Sequence, residues 1–259
     1  MSLIYAVRVA WRWWMKKVEI YKKAIERLAD FVEAFESELE KPRLRHGGYV
    51  YEEPTVKHVC LLKAVRIVSG ANALLVLLEA GYVTEMGVLI RTVGDCVNDI
   101  YFLLEKFPEI PVDVEKYIAN FFSESIEDVE ILEDNRKVHR TKVRKIHASR
   151  ARLLSEHTNL YIDRDMVYRI YSAYSGYVHA GFQSIMELYG GLPPKFHLDG
   201  IKGTPRVLHW EQRFISLLRR ATLVFGYMAE KYNKPDLVRQ VRNLIDWFDK
   251  EIMYVKQAT

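Results

Sequence analysis

The sequence predicts an all-α protein, a single bundle of about seven helices. Apolar residues recur at helical spacing through most of the 259 residues, and no alternating β-branched run is bounded by hairpin turns. Apolar residues make up 49% of the chain and charged residues 28%, which is enough for a sizeable core and too apolar for a disordered chain. We expect one helical domain over 1–259, made of an N-terminal helical arm (1–40), a core (57–192) and a C-terminal helical hairpin (205–256).

Turn-forming residues separate the first three predicted helices. Helix one covers 6–40 and ends at a loop, 41–54, that contains two prolines and two glycines. Helix two covers 56–79 and is apolar almost all round, which is typical of a central helix. Helix three covers 84–107, because Thr84 suits an N-cap and a proline follows Phe107.

Capping residues also bound the later helices. Helix four covers 112–157, with a bend at Asn135. Helix five covers 163–190, from an aspartate N-cap to a Gly-Gly pair followed by two prolines. Helix six covers 205–231, and helix seven, 235–256, has a proline in its first turn.

Composition and missing motifs exclude several classes of protein. Cys60 and Cys96 sit in apolar runs, so we expect reduced core thiols rather than a disulfide or a zinc site. The longest uncharged run, 67–78, is shorter than the ~20 residues that span a bilayer, and arginines interrupt the apolar N-terminal stretch, unlike a signal peptide. We therefore expect a cytoplasmic protein without stable membrane insertion. Nucleotide-binding glycine motifs, helical metal motifs and a nucleophile elbow are absent, so no cofactor and no metal is predicted.

A polar stripe follows the otherwise apolar third helix. Arg91, Asp95 and Asn98 have i, i+4, i+7 spacing, and Gly87 and Gly94 would let a neighbouring helix approach closely. Charges on a largely buried helix are costly unless they are paired. The Arg–Asp pair would either line an internal cleft or form a structural ion pair at a helix contact.

A second polar stripe follows helix five. Tyr171, Ser175 and His179 have helical spacing, and Ser175 and His179 could touch at i, i+4. His179 suits a general acid/base or a phosphate ligand, and the alternative is a hydrogen-bonded core histidine. Catalysis by a Ser–His pair would also need an orienting acid and an oxyanion hole.

These two helices resemble a known family. RTVGDCVNDIYFL looks like the "Arg-three-Glu" helix, and YRIYSAYSGYVHAG looks like the "Tyr-x-x-x-Ser-x-x-x-His" helix, of a bacterial and archaeal all-helical family of unknown function. That family is similar to HEPN-type domains, which are often nucleases, toxins or abortive-infection proteins. The resemblance covers 57–192, and Asp95 stands where the family more often has the longer Glu. It points to five site residues: Arg91, Asp95, Tyr171, Ser175 and His179.

The resemblance implies an RNA-binding or RNA-cleaving protein in a defence or toxin–antitoxin setting. In metal-free cleavage His179 would move a proton at the 2′-hydroxyl or the leaving oxygen, and Arg91, held by Asp95, would stabilise the phosphorane. One alternative is a non-enzymatic helical interaction module in which the polar stripes fix helix register. Another is a small-molecule pocket between helices three and five.

A dipolar segment supplies a further prediction. Residues 124–134 hold six acids, and 136–152 hold eight lysines and arginines and no acid. The basic half would bind phosphates, or would pair with acids of a neighbour or a dimer mate. A tryptophan cluster at 11–14 also favours a packed interface, so we expect a homodimer, with RNA as a partner. The predicted nucleic-acid contacts are Arg136, Lys137, Arg140, Lys142, Arg144 and Lys145.

Overall fold

A computed structural model of the chain describes residues 3–45, 48–122 and 173–257. Within these ranges the fold is all-α, as predicted. The helices are α1 (Leu3–Glu36), α2 (Val56–Ala80), α3 (Val83–Leu104), α4 (Val112–Phe122), the described part of α5 (173–178), α6 (Phe182–Met186), α7 (Pro205–Lys231) and α8 (Pro235–Gln257). Four short strands accompany them: β1 (Arg43–Arg45), β2 (Gly48–Val50), β3 (Tyr189–Gly190) and β4 (Lys195–Phe196).

The second helix lies at the centre, as its apolar surface predicts. It packs against α1, α3, α4 and α7. The Thr55 backbone N–H donates to His58 Nδ1 at its start, and Gly81, with φ 83°, ends it in the left-handed conformation. In the described part of the chain, α2 is the helix whose length and apolar composition would let it cross a membrane. Ile67, Leu74 and Leu78 on this helix are fully buried in the core.

One connected hydrophobic core contains residues of α1, α2, α3, α4, α7 and α8. From Val18 onward α1 packs into the core, because Tyr21 and Phe35 on its inner face are fully buried. Both cysteines belong to this core as free thiols, and burial raises the pKa of Cys96 to about 11. Such thiols are packing residues with little thiolate at neutral pH.

The seventh helix holds the end of α3. The Tyr227 hydroxyl donates to the Leu104 carbonyl at 3.2 Å, and Lys231 Nζ donates to the Glu105 carbonyl at 3.3 Å. These side chains satisfy carbonyls that a helix end leaves unpaired, and α3 ends at Leu104, three residues before the predicted end. The contacts also fix the register of α7 along α3.

Two short β-hairpins that the sequence does not predict follow α1 and α6. Arg43 pairs with Val50 in the β1–β2 hairpin, and Tyr189 pairs with Phe196 in the β3–β4 hairpin. Strands of two or three residues are too short to show the alternation by which strands are recognised. The hairpins lie between helices, and the fold remains all-α.

The fifth helix, predicted to continue to 190, ends at 178. The Gly181 N–H donates to the Gly176 carbonyl at 2.8 Å, and the Ala180 N–H donates to the Tyr177 carbonyl at 3.3 Å. This is the Schellman pattern, with Ala180 in the left-handed region at φ 49°. His179 is therefore the C-cap residue, and α6 is a separate short helix. Helix four, predicted over 112–157, is described as far as Phe122.

Candidate functional site

The predicted Arg91–Asp95 pair forms on α3. Arg91 Nη1 donates to Asp95 Oδ1 at 3.1 Å, across one turn of the helix. The arginine side chain is 13% exposed and the aspartate side chain 43% exposed. The guanidinium is thus largely covered by protein, while the carboxylate that holds it remains open to water.

Two glycines on the same helix mark where its neighbours approach. A Cβ atom at Gly87 would lie 2.4 Å from the ring of Tyr177 on α5. A Cβ atom at Gly94 would lie 3.6 Å from Nη2 of Arg220 on α7. Helices α5 and α7 therefore both meet the face of α3 that carries the polar stripe. The predicted close approach occurs at Gly87, whereas the contact at Gly94 would leave room for a methyl group.

Arg220 brings a second guanidinium to this stripe. Its Nη2 atom is buried and has no hydrogen-bond partner among the described residues. Burial lowers the pKa of Arg220, and the nearby Tyr101, Tyr174 and Asp95 oppose that shift. A guanidinium stays protonated even so, which leaves a cation with a buried, unused donor beside the Arg91–Asp95 pair.

The same stripe also holds an unused acceptor. Asn98 is buried one turn after Gly94, and its Oδ1 atom has no hydrogen-bond partner in the described ranges. A buried polar atom without a partner loses a hydrogen bond that water would supply in the unfolded chain. Asn98 and Arg220 therefore each carry a buried polar atom whose lost hydrogen bond is costly for stability.

Arg213 lies seven residues before Arg220, on the same face of α7. Its guanidinium carbon is 4.3 Å from the ring centroid of Trp210 and 5.7 Å from that of Tyr174. Its Nη1 atom donates to the Tyr177 hydroxyl at 3.4 Å. No carboxylate in the described part of the chain forms an ion pair with it. Aromatic rings thus hold this cation in place and leave part of its edge unpaired.

Glu187 ties α5, α6 and α7 together. The Tyr177 hydroxyl donates to its Oε1 atom at 2.5 Å, and Trp210 Nε1 donates to its Oε2 atom at 3.0 Å. Arg206 also donates to the Glu187 backbone carbonyl. Burial and the bond to Glu187 raise the pKa of Tyr177, so this tyrosine is a hydrogen-bond donor at neutral pH.

A pocket of about 670 Å³ opens where α5 and α6 face α7. Tyr174 and Arg213 connect it to the polar stripe, because Tyr174 also lies near Arg220. Among the described residues its walls are Ala173, Tyr174, Gly176, Tyr177, Gly181, Phe182, Gln183, Ser184, Glu187 and Arg213.

The residues predicted on helix five have separate locations. Ser175 lies on α5 and is half-buried. The His179 backbone N–H donates to the Ser175 carbonyl at 3.2 Å, while the His179 side chain is exposed at the end of α5. His179 is therefore not a core histidine. Tyr171 and the six basic residues at 136–145 lie outside the described residues.

The contribution of α7 to this site was not predicted from the sequence. Arg213 and Arg220 are seven apart and share a helix face with buried residues such as Phe214 and Leu217. The spacing matches that of Gly87 and Gly94, which was the available signal. Only the tertiary packing shows that Arg220 meets Gly94 and that Arg213 and Gly87 both contact Tyr177.

Metal ligands do not cluster in the part of the chain that the structure describes. There, no group of three or more His, Cys, Asp or Glu side chains is close enough to hold a metal ion. His197 is the residue that follows β4, and its Nε2 atom lies 3.1 Å from the Gly190 carbonyl oxygen.

Comparison with known proteins places the chain in a family. The model of a family of unknown function, DUF5677, matches residues 57–194, which is more than half of the sequence. The chain belongs to this family. The DUF5677 match contains the Arg91–Asp95 pair and His179, whereas Arg213 and Arg220 lie beyond it. No curated protein and no solved structure matches significantly.

Proposed function

We propose that this DUF5677 protein binds RNA in the cleft between α3, α5 and α7 and cleaves it without a metal ion. The observation that supports this most is the charge of the cleft. Among the described residues, the guanidinium groups of Arg91, Arg213 and Arg220 lie along the faces of α3 and α7 that meet here. Guanidinium groups bind phosphate oxygens in pairs, which suits the anionic backbone of RNA.

The proposed roles follow from position and chemistry. Asp95 holds Arg91, which with Arg220 stabilises the charge that develops on the pentavalent phosphorus. His179 is exposed at the end of α5, where RNA can reach it, and moves a proton at the 2′-hydroxyl or the leaving oxygen.

Cleavage rather than simple binding is proposed because the two helix motifs resemble those of HEPN-like proteins. We also propose that the protein acts in a defence or toxin–antitoxin setting and is located in the cytoplasm. The basic residues at 136–145 would add phosphate contacts along the RNA. We do not propose membrane insertion, because the apolar residues of α2 pack in the core.

The test of cleavage is a denaturing gel of labelled structured RNA with a chelator present. Wild type should cleave, His179→Ala should not, and the matched control His209→Ala, an exposed histidine on α7, should cleave like wild type. Thermal unfolding of each variant checks that it is folded. Equal cleavage by His179→Ala and wild type would remove His179 from the mechanism, and intact RNA in every lane would refute cleavage.

Binding is tested separately by its dependence on salt. Replacing the six basic residues at 136–145 by glutamine should weaken binding of single-stranded RNA. The plot of log K against log salt should also flatten by about 0.7 for each phosphate that the variant no longer neutralises. An unchanged slope would show that these residues do not touch RNA.

A second candidate function, an interaction module that forms a homodimer, has support of its own. Phe182, Leu192 and Leu198 are 79%, 99% and 81% exposed, and all three lie in the segment that joins α5 to α7. Exposed apolar side chains gathered in one region are typical of an interface between proteins. In this function the polar stripe would fix the register of α3 and α7, and no RNA would be cleaved.

A further inference from the structure

The pocket beside α6 combines three features that suit one nucleotide. Its volume of about 670 Å³ lies within the ~300–1,000 Å³ of typical small-molecule sites. One wall is cationic, and the lining also includes an exposed aromatic ring and an exposed amide. A phosphate joined to a flat base carries the complementary groups.

The cationic wall is Arg213. Trp210 and Tyr174 hold its guanidinium group, and Tyr177 accepts one N–H at 3.4 Å. No described carboxylate pairs with this arginine, so further N–H groups on its edge remain to bind a ligand. A planar guanidinium fixed in this way is suited to two oxygens of a phosphate group.

The nearby carboxylate does not compete for that edge. Both oxygens of Glu187 already accept hydrogen bonds, one from Tyr177 and one from Trp210. The Ser184 hydroxyl is likewise committed, because it donates to the Gly181 carbonyl at 2.7 Å. Compared with Glu187 and Ser184, Arg213 therefore keeps N–H donors that can bind an anion.

The first two residues of α6 also line the pocket. Phe182 lines the pocket while 79% of it is exposed, and Gln183 beside it is exposed as well. An exposed phenylalanine at the mouth of a pocket offers a flat surface on which a base can stack. The glutamine amide can both donate to and accept from the edge of that base.

We propose that this pocket holds one nucleotide of single-stranded RNA, with the base stacked on Phe182 and the phosphate bound to Arg213. The inference rests on the proposed function and specifies its substrate, an RNA whose bases are unpaired at this point. In this arrangement Phe182, Gln183 and Arg213 position the RNA. The cleavage step itself is assigned to Arg91, Arg220 and His179.

The test is isothermal titration of the full chain with AMP, with adenosine and with a short oligoadenylate. Wild type should bind all three, most tightly the oligonucleotide. Phe182→Ala should weaken AMP and adenosine alike, by about tenfold, because neither base can then stack on the ring. Arg213→Lys should weaken AMP and leave adenosine unchanged, because only AMP carries the phosphate.

Controls make each outcome decisive. Tyr49→Ala, which removes an exposed aromatic ring on β2, should bind AMP like wild type. Thermal unfolding monitors the fold of Arg213→Lys, while Phe182→Ala removes a ring that is mostly in water. Failure of wild type to bind AMP in the millimolar range, or equal binding by both pocket variants and wild type, would overturn the pocket.

The pocket and the cleavage proposal can fail independently. AMP binding that depends on Phe182 and Arg213, with RNA left intact, would keep the pocket and refute cleavage. RNA cleavage with an unchanged KM in Phe182→Ala would keep cleavage and refute the pocket. AMP binding without oligoadenylate binding would overturn RNA as the ligand in favour of a free nucleotide.

Discussion

Arg220 is the side chain whose position is hardest to explain by stability alone. Its Nη2 atom is buried without a hydrogen-bond partner among the described residues, and such a group loses the hydration that it has in the unfolded chain. Arg220→Met keeps much of the length of the side chain and removes the charge. We expect the free energy of unfolding, measured with urea, to stay the same or to rise by about 1 kcal/mol, while RNA binding weakens.

The neighbouring arginine provides the control for Arg220. Arg219 is half exposed and is paired with Asp249 at 2.7 Å. Arg219→Met should change RNA binding little, because this pair lies on another face of α7. A loss of stability of more than about 2 kcal/mol in Arg220→Met would mean that the cation holds α7 against α3 and is structural.

His58 makes the stability of the protein sensitive to pH. Its ring is buried and Nδ1 accepts from the Thr55 N–H, and burial lowers its pKa below the ordinary value of about 6.5. The unfolded chain therefore takes up a proton first as the pH falls. The contribution of neutral His58 to the free energy of unfolding is fully present above about pH 6.5. It is lost as the pH drops toward the folded-state pKa of His58.

The test is urea unfolding of wild type and His58→Gln between about pH 7 and about pH 5. The glutamine keeps an acceptor for the Thr55 N–H and does not titrate, so its unfolding free energy should fall less steeply than that of wild type. His209→Gln, at an exposed position, should follow wild type. Parallel curves for wild type and His58→Gln would show that the His58 pKa is not lowered in the fold.

The two glycines of α3 differ in what packs on them, and this difference predicts opposite effects of one substitution. A methyl group at Gly87 would overlap the Tyr177 ring, with the nearest atom 2.4 Å away. A methyl group at Gly94 would meet Arg220 at 3.6 Å, an ordinary contact. Alanine favours a helix by about 1 kcal/mol over glycine, so Gly94→Ala should raise the melting temperature slightly.

Gly87→Ala should lower the melting temperature, because Tyr177 must move and its bond to Glu187 is strained. The same shift would displace α5 from α3, so cleavage of RNA should fall in Gly87→Ala and persist in Gly94→Ala. Circular dichroism and the gel assay measure both effects. Equal melting temperatures for the two variants would indicate that α5 does not pack on Gly87.

Elements with strong local signals were predictable, and those set by tertiary contacts were not. The bounds of α2 and α7 follow from apolar periodicity, caps and prolines, and the structure places them within about two residues of the prediction. The end of α5 depends on Ala180 adopting a left-handed conformation, which alanine rarely does. The sequence favoured continuation of the helix, because Gly181 alone did not indicate a Schellman end.

The candidate site could be predicted only in part, for the same reason. The Arg91–Asp95 contact is local, since i, i+4 spacing on a helix brings the two side chains together. Arg220 lies 129 positions after Arg91 in the sequence and reaches the stripe only because α7 packs along α3. No periodicity within one helix shows which helix lies beside it.

At the scale of the whole molecule, the question is what covers the exposed apolar residues between α5 and α7. Leu192 is 99% exposed and Leu198 is 81% exposed, more than other large apolar side chains in the described part of the chain. A second copy of the chain is the proposed partner. Light scattering during size exclusion should then give twice the mass of one chain for wild type, and Leu192→Asp with Leu198→Asp should give the mass of one chain.

The dimer prediction also decides how the two proposed functions relate. Leu44→Asp, at an exposed leucine on β1, is the matched control and should remain dimeric. If the Leu192/Leu198 variant is monomeric and still cleaves RNA, the cleft works within one chain and the dimer is a separate property. If cleavage disappears with the dimer, the active cleft needs the partner chain. A wild type that has the mass of one chain at every concentration would refute the dimer, and the apolar residues would then require a different partner.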